Sequence, residues 1–153
     1  MTPLRKVKSI PASLNPKAIE RAVASFVEQS HADNVDKNGY YNQIIENMAA
    51  VLLFRQPGRN VWIAEDAGEV IGFALTHVAK DVDNKLCYWM TDAWIDPKWR
   101  HTVAKEWHML MEADAAASFC KHIIIPSSRE PKSYCKFLGQ GWHQYVVLLK
   151  KDI

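Results

Sequence analysis

The sequence is poor in cysteine, in net charge and in long apolar runs, and each shortage argues against a class of protein. Its three cysteines, Cys87, Cys120 and Cys135, lie far apart and form no CxxC pair, which argues against a disulfide framework and a zinc site. The formal net charge of +2 gives little attraction to nucleic acid or to a membrane surface. No apolar run is long enough to cross a bilayer.

The N-terminal stretch is basic but lacks the apolar segment of a secretory signal. Together with the isolated thiols, this leads us to expect a cytoplasmic protein with no specific nucleic-acid partner and no membrane partner. The 153 residues are 48% hydrophobic and 24% charged, as in ordinary globular proteins. We therefore expect residues 1–153 to form one folded domain.

Helical periodicity predicts two amphipathic helices in the first third of the chain. Asn15 supplies an N-cap and Pro16 a favourable first position for a helix that ends near Ser30. A second helix is predicted at Tyr40–Phe54, where apolar residues again recur on one side.

Two patterns resemble parts of metal sites, and neither is complete. Asn34-x-Asp36-x-Asn38-Gly39 matches the first half of a calcium loop, but Ile45 stands where a bidentate Glu is required. His108 and Glu112 lie one helical turn apart, and no third ligand is suggested. We therefore predict no metal site.

The remaining elements predict the fold class. Strands are predicted at Val7–Ile10, Val61–Glu65, Val70–Ala79, Leu86–Ile95, Ile123–Ile125 and Trp142–Lys150, and further helices at His101–Cys120 and Lys132–Leu138. The long helix should make the strand before it and the strand after it parallel neighbours, with the apolar Ile123–Ile125 run central and the C-terminal strand beyond it. This order predicts an α/β (α+β) domain with helices on both faces of a mixed central sheet.

The start of the long helix carries the strongest chemical signal. Asp96-Pro97 ends the preceding strand, and four basic residues then surround the helix start: Lys98, Arg100, His101 and Lys105. Free backbone N–H groups and the positive end of the helix dipole favour phosphate at such a position. The alternative is an ordinary loop with solvated basic side chains. Periodicity predicts that Trp107 and Met111 are buried, while Lys105 and Glu112 are exposed.

At the level of its elements, the chain resembles the GNAT superfamily of acetyl-CoA-dependent N-acetyltransferases. The hairpin around Asp66–Glu69, the strand end Ile95-Asp96-Pro97, the long helix and the late helix before Gly141-Trp142 fall where that family has equivalents. The resemblance implies a GNAT-like mixed sheet, acetyl-CoA as the acyl donor, and a small-molecule or protein amine as the acceptor.

The phosphate loop of that family has the pattern Arg/Gln-x-x-Gly-x-Gly/Ala, and this chain matches it in part. Arg100 takes the first position, whereas Val103 and Lys105 stand where the family has glycines. Glycine lets the backbone approach a phosphate closely, and a β-branched residue resists the required dihedral angles. Some phage-encoded relatives show a similarly degenerate loop. The resemblance implies that coenzyme A contacts the backbone of Ile95 and the residues Arg100, His101, Thr102, Val103, Ala104 and Lys105.

Two residues are candidates for proton transfer. Members of the family commonly place a Tyr on the late helix to protonate the leaving thiolate; here that position is Phe137, and Tyr134 lies one turn earlier. Asp92, on the strand that would flank the acetyl group, could act as the base. Simple strand alternation puts Asp92 on one face with Tyr88, Met90 and Trp94, and puts Trp89, Thr91, Ala93 and Ile95 on the other.

Two functional classes remain open at this stage. The first is an acetyl-CoA-dependent N-acetyltransferase that uses Asp92 as base and Tyr134 as acid. The second is a catalytically inactive protein of the same fold, for example a phage structural protein in the virion or a host-interaction protein in the host cytoplasm, with a protein partner. The replaced glycines favour the second class, and the basic helix start favours the first.

Overall fold

The computed structural model describes residues 2–29, 36–126, 132, 135–136, 141–144 and 151. Regular elements within them follow the predicted order: β1 (Thr2–Val7), α1 (Pro16–Gln29), α2 (Lys37–Leu52), β2 (Arg59–Asp66), β3 (Glu69–Lys80), β4 (Leu86–Ile95), a 3₁₀ helix (Pro97–Trp99), α3 (Arg100–Ala117) and β5 (Ile123–Ile124). The predicted catalytic acid Tyr134, most of the predicted late helix on which it lies and most of the predicted C-terminal strand fall outside the described residues.

The described strands form one mixed sheet in the order β1-β2-β3-β4-β5. The first four strands pair antiparallel with their neighbours. β5 pairs parallel to β4, with Tyr88 opposite Ile123 and Trp89 opposite Ile124. This confirms the crossover predicted for the long helix. β5 is the edge strand of the described sheet, so the central position predicted for it stays a prediction.

Helices cover both faces of the sheet, as predicted. Helices α1 and α2 pack on one face over a core that includes Val23, Ile44, Met48, Ile63 and Phe73. Helix α3 packs on the other face over a core that includes Leu4, Trp62, Ile71, Tyr88 and Met111. Each strand can therefore send apolar side chains to both sides, which explains why the middle strands are almost continuously buried.

Some element boundaries differ from the prediction. The first strand spans Thr2–Val7 and not Val7–Ile10, because Leu4 and Val7 are the residues that reach the two cores and Val7 is already paired with Val61. Helix α3 ends at Ala117, before the predicted Cys120, because Phe119 adopts a left-handed conformation with φ of 62°. The Cys120 N–H then bonds the Ala115 carbonyl at 2.9 Å and closes the helix end.

The face assignment predicted for β4 is wrong. Leu75 of β3 opposes Asp92 and the next residue, Thr76, opposes Met90, so Thr91 is an extra residue that forms a β-bulge. The bulge reverses the alternation. Tyr88 and Met90 face the α3 side, whereas Trp94 packs in the core under α1 and α2.

The side of α3 that faces the sheet is close to the prediction. Met111 is buried with 1% of its surface exposed, and Lys105 and Glu112 are exposed. Trp107 is only partly buried, at the rim of the core. Met109, two residues before Met111, points away from the sheet and has 67% of its surface exposed.

These two methionines give a matched test of the packing of α3. Met111→Ala should lower the free energy of unfolding by about 2–5 kcal/mol, because it leaves a cavity under the helix. Met109→Ala should change it by less than about 0.5 kcal/mol, because alanine suits an exposed helix position. Urea denaturation measures both, and equal losses would contradict this orientation of α3.

Candidate active site

The bulge at Thr91 aims Asp92 at helix α2. Asp92 is 8% exposed, and its carboxylate accepts a hydrogen bond of 2.8 Å from the Tyr40 hydroxyl. Tyr40 lies in the first turn of α2, whose N-terminus is capped by the Asp36 carboxylate accepting from the Gly39 N–H at 3.1 Å. The Phe26 ring packs 5.8 Å from the Tyr40 ring and holds it in place. A carboxylate on a strand is thus fixed by a phenol on a helix.

The surroundings of Asp92 change the pKa of its carboxyl group. Burial raises the pKa of the Asp92 carboxyl above its ordinary value, and the hydrogen bonds from Tyr40 and Thr91 offset only part of this increase. Burial and the neighbouring Asp92 also raise the pKa of the Tyr40 phenol, so that Tyr40 stays a hydrogen-bond donor at neutral pH. A carboxylate with a raised pKa suits proton transfer near neutrality better than a solvated one.

Among the described residues, β4 has an open edge next to Asp92. β5 pairs only with Tyr88 and Trp89, so from Met90 to Ile95 no described strand follows β4 on that side. The Asp96 N–H bonds the Ile71 carbonyl at 2.8 Å, toward β3. By strand alternation, the backbone groups of Ile95 and Ala93 then point toward the open edge. Backbone donors and acceptors are therefore available to a ligand beside the carboxylate.

The open edge leads to the start of α3. Asp96 caps the 3₁₀ helix by accepting from the Lys98 N–H at 2.9 Å, whereas Trp99 gives α3 itself no side-chain cap. In an α-helix whose N-cap is Trp99, four N–H groups have no partner within the helix, those of Trp99, Arg100, His101 and Thr102. The Trp99 N–H instead donates to the Asp96 carbonyl at 2.8 Å. The N–H groups of Val103, Ala104 and Lys105 can bond to carbonyls at the start of the helix itself. They are therefore less available to a phosphate than those before them.

The side chains of this helix start divide into two groups. Val103 is 2% exposed and packs in the core under α3, so it does not crowd the helix start, and Ala104 is partly buried. Four cationic or potentially cationic side chains are exposed: Lys98, Arg100, His101 and Lys105. Within the described residues, none of the four makes an ion pair. The basic cluster expected from the sequence is therefore open to an anion.

A partly buried carboxylate lies on the opposite face and serves the structure. Asp114 of α3 accepts from the Lys6 ammonium at 2.6 Å and from the Tyr88 hydroxyl at 2.7 Å. Tyr88 also bonds the Thr76 hydroxyl at 3.1 Å, which in turn accepts from the Trp62 indole at 3.1 Å. This network joins four strands to α3, and its carboxylate has two committed partners.

The two buried cysteines, Cys87 and Cys120, are poor candidates for a nucleophile. Burial raises the pKa of the Cys87 thiol to about 11, with a further contribution from its hydrogen bond to Asp81. Burial also raises the pKa of Cys120. A thiol rather than a thiolate is then present at neutral pH, which disfavours covalent catalysis. Among the described residues, no group of three or more potential metal ligands occurs, and no helix is long and apolar enough to cross a membrane.

Apart from Tyr134, which falls outside the described residues, the candidate residues of the sequence lie on two successive elements, β4 and α3. Asp92 and Ile95 lie on β4, and the six residues from Arg100 to Lys105 form the first turns of α3. Sequence reasoning missed Tyr40, the hydrogen-bond partner of Asp92. Its position one residue before the apolar face of α2 is the only signal for it, and many aromatic residues share such a position.

The raised pKa of Asp92 predicts a stability change that depends on pH. Because ionisation costs more in the folded protein than in the unfolded chain, this group stabilises the fold below its ordinary pKa of 3.8, and that contribution is lost as the pH rises through the higher folded pKa. Asp92→Asn removes the ionisation and keeps an acceptor for Tyr40. Its urea midpoint should exceed that of the parent at pH about 8, and the difference should shrink toward pH about 4.

The exposed Glu112→Gln provides the control for that comparison and should show no such pH-dependent gain. An Asp92→Asn protein less stable than the parent at the higher pH would mean that the charge of Asp92 is stabilising in the fold, contrary to the burial argument.

No protein-family model matches the chain, and no curated protein matches its sequence. Solved structures do resemble it. A Pyrococcus furiosus protein assigned as an acetyl transferase has a TM-score of 0.68 at 14% identity, with 98% of each chain covered. An acetyltransferase from Trypanosoma brucei has a TM-score of 0.61 at 15% identity, again with 98% of each chain covered.

An aminoglycoside acetyltransferase, solved with a bisubstrate analogue built on coenzyme A, has a TM-score of 0.61 at 16% identity, covering 98% of this chain and 97% of that one. The structural neighbours are thus acetyltransferases, and one of them is recorded with a ligand derived from coenzyme A. Identities this low establish the fold alone. The mixed five-stranded sheet with helices on both faces is therefore the GNAT fold of these acetyltransferases, as the sequence predicted.

Proposed function

We propose that the protein is an N-acetyltransferase that moves an acetyl group from acetyl-CoA to an amine. One observation carries the proposal: the open edge of β4 runs from the buried carboxylate of Asp92 to the uncapped, basic start of α3. The candidate base, the strand edge and the helix start then follow one another in the same order as the thioester, the pantetheine arm and the pyrophosphate of acetyl-CoA.

The residues along this line fit the parts of acetyl-CoA. The N–H groups of Arg100, His101 and Thr102 and the positive end of the helix dipole suit a pyrophosphate, and the Arg100 guanidinium adds charge-assisted donors. The backbone groups of Ala93 and Ile95 can pair with the amides of the pantetheine arm, as an added strand would pair with a sheet edge. The thioester would then lie beside the middle of β4.

Asp92 supplies the proton chemistry in this proposal. Its carboxylate takes a proton from the acceptor ammonium, directly or through water, and the freed amine forms the new nitrogen–carbon bond as the carbon–sulfur bond breaks. Tyr134, which the family resemblance suggests as the acid, gives its proton to the departing thiolate and regains one from the acylated nitrogen, directly or through water. Holding the amine and the thioester in contact provides most of the acceleration, since bound reactants avoid the entropy cost of meeting in solution.

The acceptor approaches from the α2 side of the sheet, because Asp92 faces that side. The acceptors named for the structural neighbours are chemically varied: an aminoglycoside, the alanine of a ribosomal protein and glucosamine 6-phosphate. For this chain we propose an amine on a small molecule or on a protein.

The second candidate is a catalytically inactive protein of the same fold, such as a phage structural or host-interaction protein. Val103 and Lys105, which stand in place of the loop glycines, favour it. The burial of the Val103 side chain weakens this argument, because that residue fills the core and leaves the helix start open. The transferase therefore ranks first.

Calorimetric titration with acetyl-CoA tests the donor site. The parent should bind, and Arg100→Gln should weaken binding about tenfold or more, as expected for loss of a charge-assisted hydrogen bond. Binding should also weaken as salt is added, since the cationic side chains are exposed. Arg55→Gln, which removes the same charge at an exposed site at the end of α2, serves as the control. A parent that fails to bind at millimolar acetyl-CoA would favour the inactive alternative.

The role of Asp92 is tested separately. Asp92→Asn should lower kcat by a factor of about 10²–10⁴ with little effect on acetyl-CoA affinity, because the residue acts on the acceptor amine. The parent rate should rise with pH as Asp92 ionises, and the variant should lose this limb of the profile. An unchanged kcat would assign the proton transfer to another group.

A further inference from the structure

A small cavity lies on the α2 side of the sheet, directly below the bulge that carries Asp92. Its volume is about 20 Å³, enough for one water-sized group. Residues of four elements line it, including Asn47, Val51, Arg59, Leu75, His77 and Thr91. Thr91 is the bulged residue itself and Leu75 is opposite Asp92, so the cavity adjoins the candidate base.

The cavity has the chemistry of an anion site. The Arg59 guanidinium donates to the Asn47 side-chain carbonyl at 3.1 Å, and within the described residues no carboxylate pairs with it. A guanidinium has five N–H donors, so most of its donors stay free for a ligand. Burial and the charge of Arg59 lower the pKa of His77, which faces Arg59 from the next strand. A neutral His77 adds a further polar group.

The wall of the cavity continues as an aromatic surface toward β4. His77 stacks on Trp89 with ring centroids 6.1 Å apart and ring planes within 8°. The Trp89 indole donates to the Ala79 carbonyl at 3.3 Å, which fixes the ring. Trp89 is only partly buried, so the body of a ligand can rest against the ring.

The strand register sets the distance between the two charged ends. Leu75 opposes Asp92, and Arg59 opposes His77, two residues further along β3. Arg59 therefore lies two strands away from Asp92 across the sheet and two residues away along the strand direction. This places their Cα atoms about 12 Å apart. A carboxylate at one end and an uncompensated guanidinium at the other would orient a ligand that bears both charges.

We propose that the exposed Arg59 side chain at the rim of this cavity is the subsite for an anionic group of the acyl acceptor, while the cavity itself has room for a water-sized group only. The acceptor is an amine with a carboxylate or a phosphate on the order of 10 Å from its amino group, the spacing that the sheet geometry gives. The ammonium end is held at Asp92 and the anionic end at Arg59, and the part between lies against His77, whose strand separates β4 from β2. This inference deepens the proposed transferase function and rests on it for the assignment of Asp92 as the amine end.

One experiment examines the subsite without any acetyl transfer. Binding of inorganic phosphate is measured by calorimetry in the Arg100→Gln protein, where the other candidate phosphate site is weakened. Adding Arg59→Gln should weaken phosphate binding about tenfold, since a charge-assisted donor is lost. Adding the matched Arg55→Gln should leave it unchanged. Equal affinity in the Arg59→Gln and Arg55→Gln proteins would overturn the subsite.

A second experiment examines the acceptor class with linear ω-amino carboxylates of graded length, each paired with its uncharged carboxamide. With acetyl-CoA, kcat/KM should favour the carboxylate about tenfold at the length that spans Asp92 and Arg59, and Arg59→Gln should abolish the preference. Arg55→Gln should preserve it. Transfer with no preference for the carboxylate overturns the inference and leaves the transferase standing. Phosphate binding that depends on Arg59, without acetyl-CoA binding, supports the subsite and overturns the transferase.

Discussion

The candidate site depends on one extra residue in a strand. If Thr91 were paired as a regular strand residue, β4 would continue its alternation, and the Asp92 carboxylate would lie on the side of Met90, toward the apolar core under α3. A carboxylate buried among apolar side chains without hydrogen-bond donors would be costly. The bulge instead directs Asp92 toward Tyr40. Because of this local change in strand register, the buried carboxylate has a hydrogen-bond donor.

The unequal pairing of β4 accounts for the other half of the site. β3 pairs with β4 along its whole length, which holds it rigidly, while β5 leaves it after two residues. A strand held on one side can present its other edge to a ligand without unfolding. The unpaired N–H and C=O groups of such an edge can also pair with a strand of another chain. An extended acyl donor would form hydrogen bonds with the same backbone groups.

Local patterns carried enough information to predict the element order and the crossover at α3. The Asn15-Pro16 start of α1 and the Asp96-Pro97 break act through neighbouring residues, so they are visible in the sequence. The bulge was not predictable, because Met90 and Asp92 fit a regular alternation as well as a broken one. The Tyr40–Asp92 pair spans 52 positions in the chain and has no local signature.

The inward position of Val103 removes one objection to the phosphate site that we propose at the start of α3. Glycines in a phosphate loop allow an irregular backbone to approach the ligand. Here a 3₁₀ helix capped by Asp96 leads directly into α3, whose own N-terminus has no side-chain cap. No residue of this connection adopts a left-handed conformation. Val103 then contributes apolar area to the core under α3, which anchors the helix start to the sheet. In the transferase that we propose, the chain would therefore reach the phosphate position by a different backbone path, and side-chain charge from Arg100 and Lys105 would add to the attraction of the helix N-terminus.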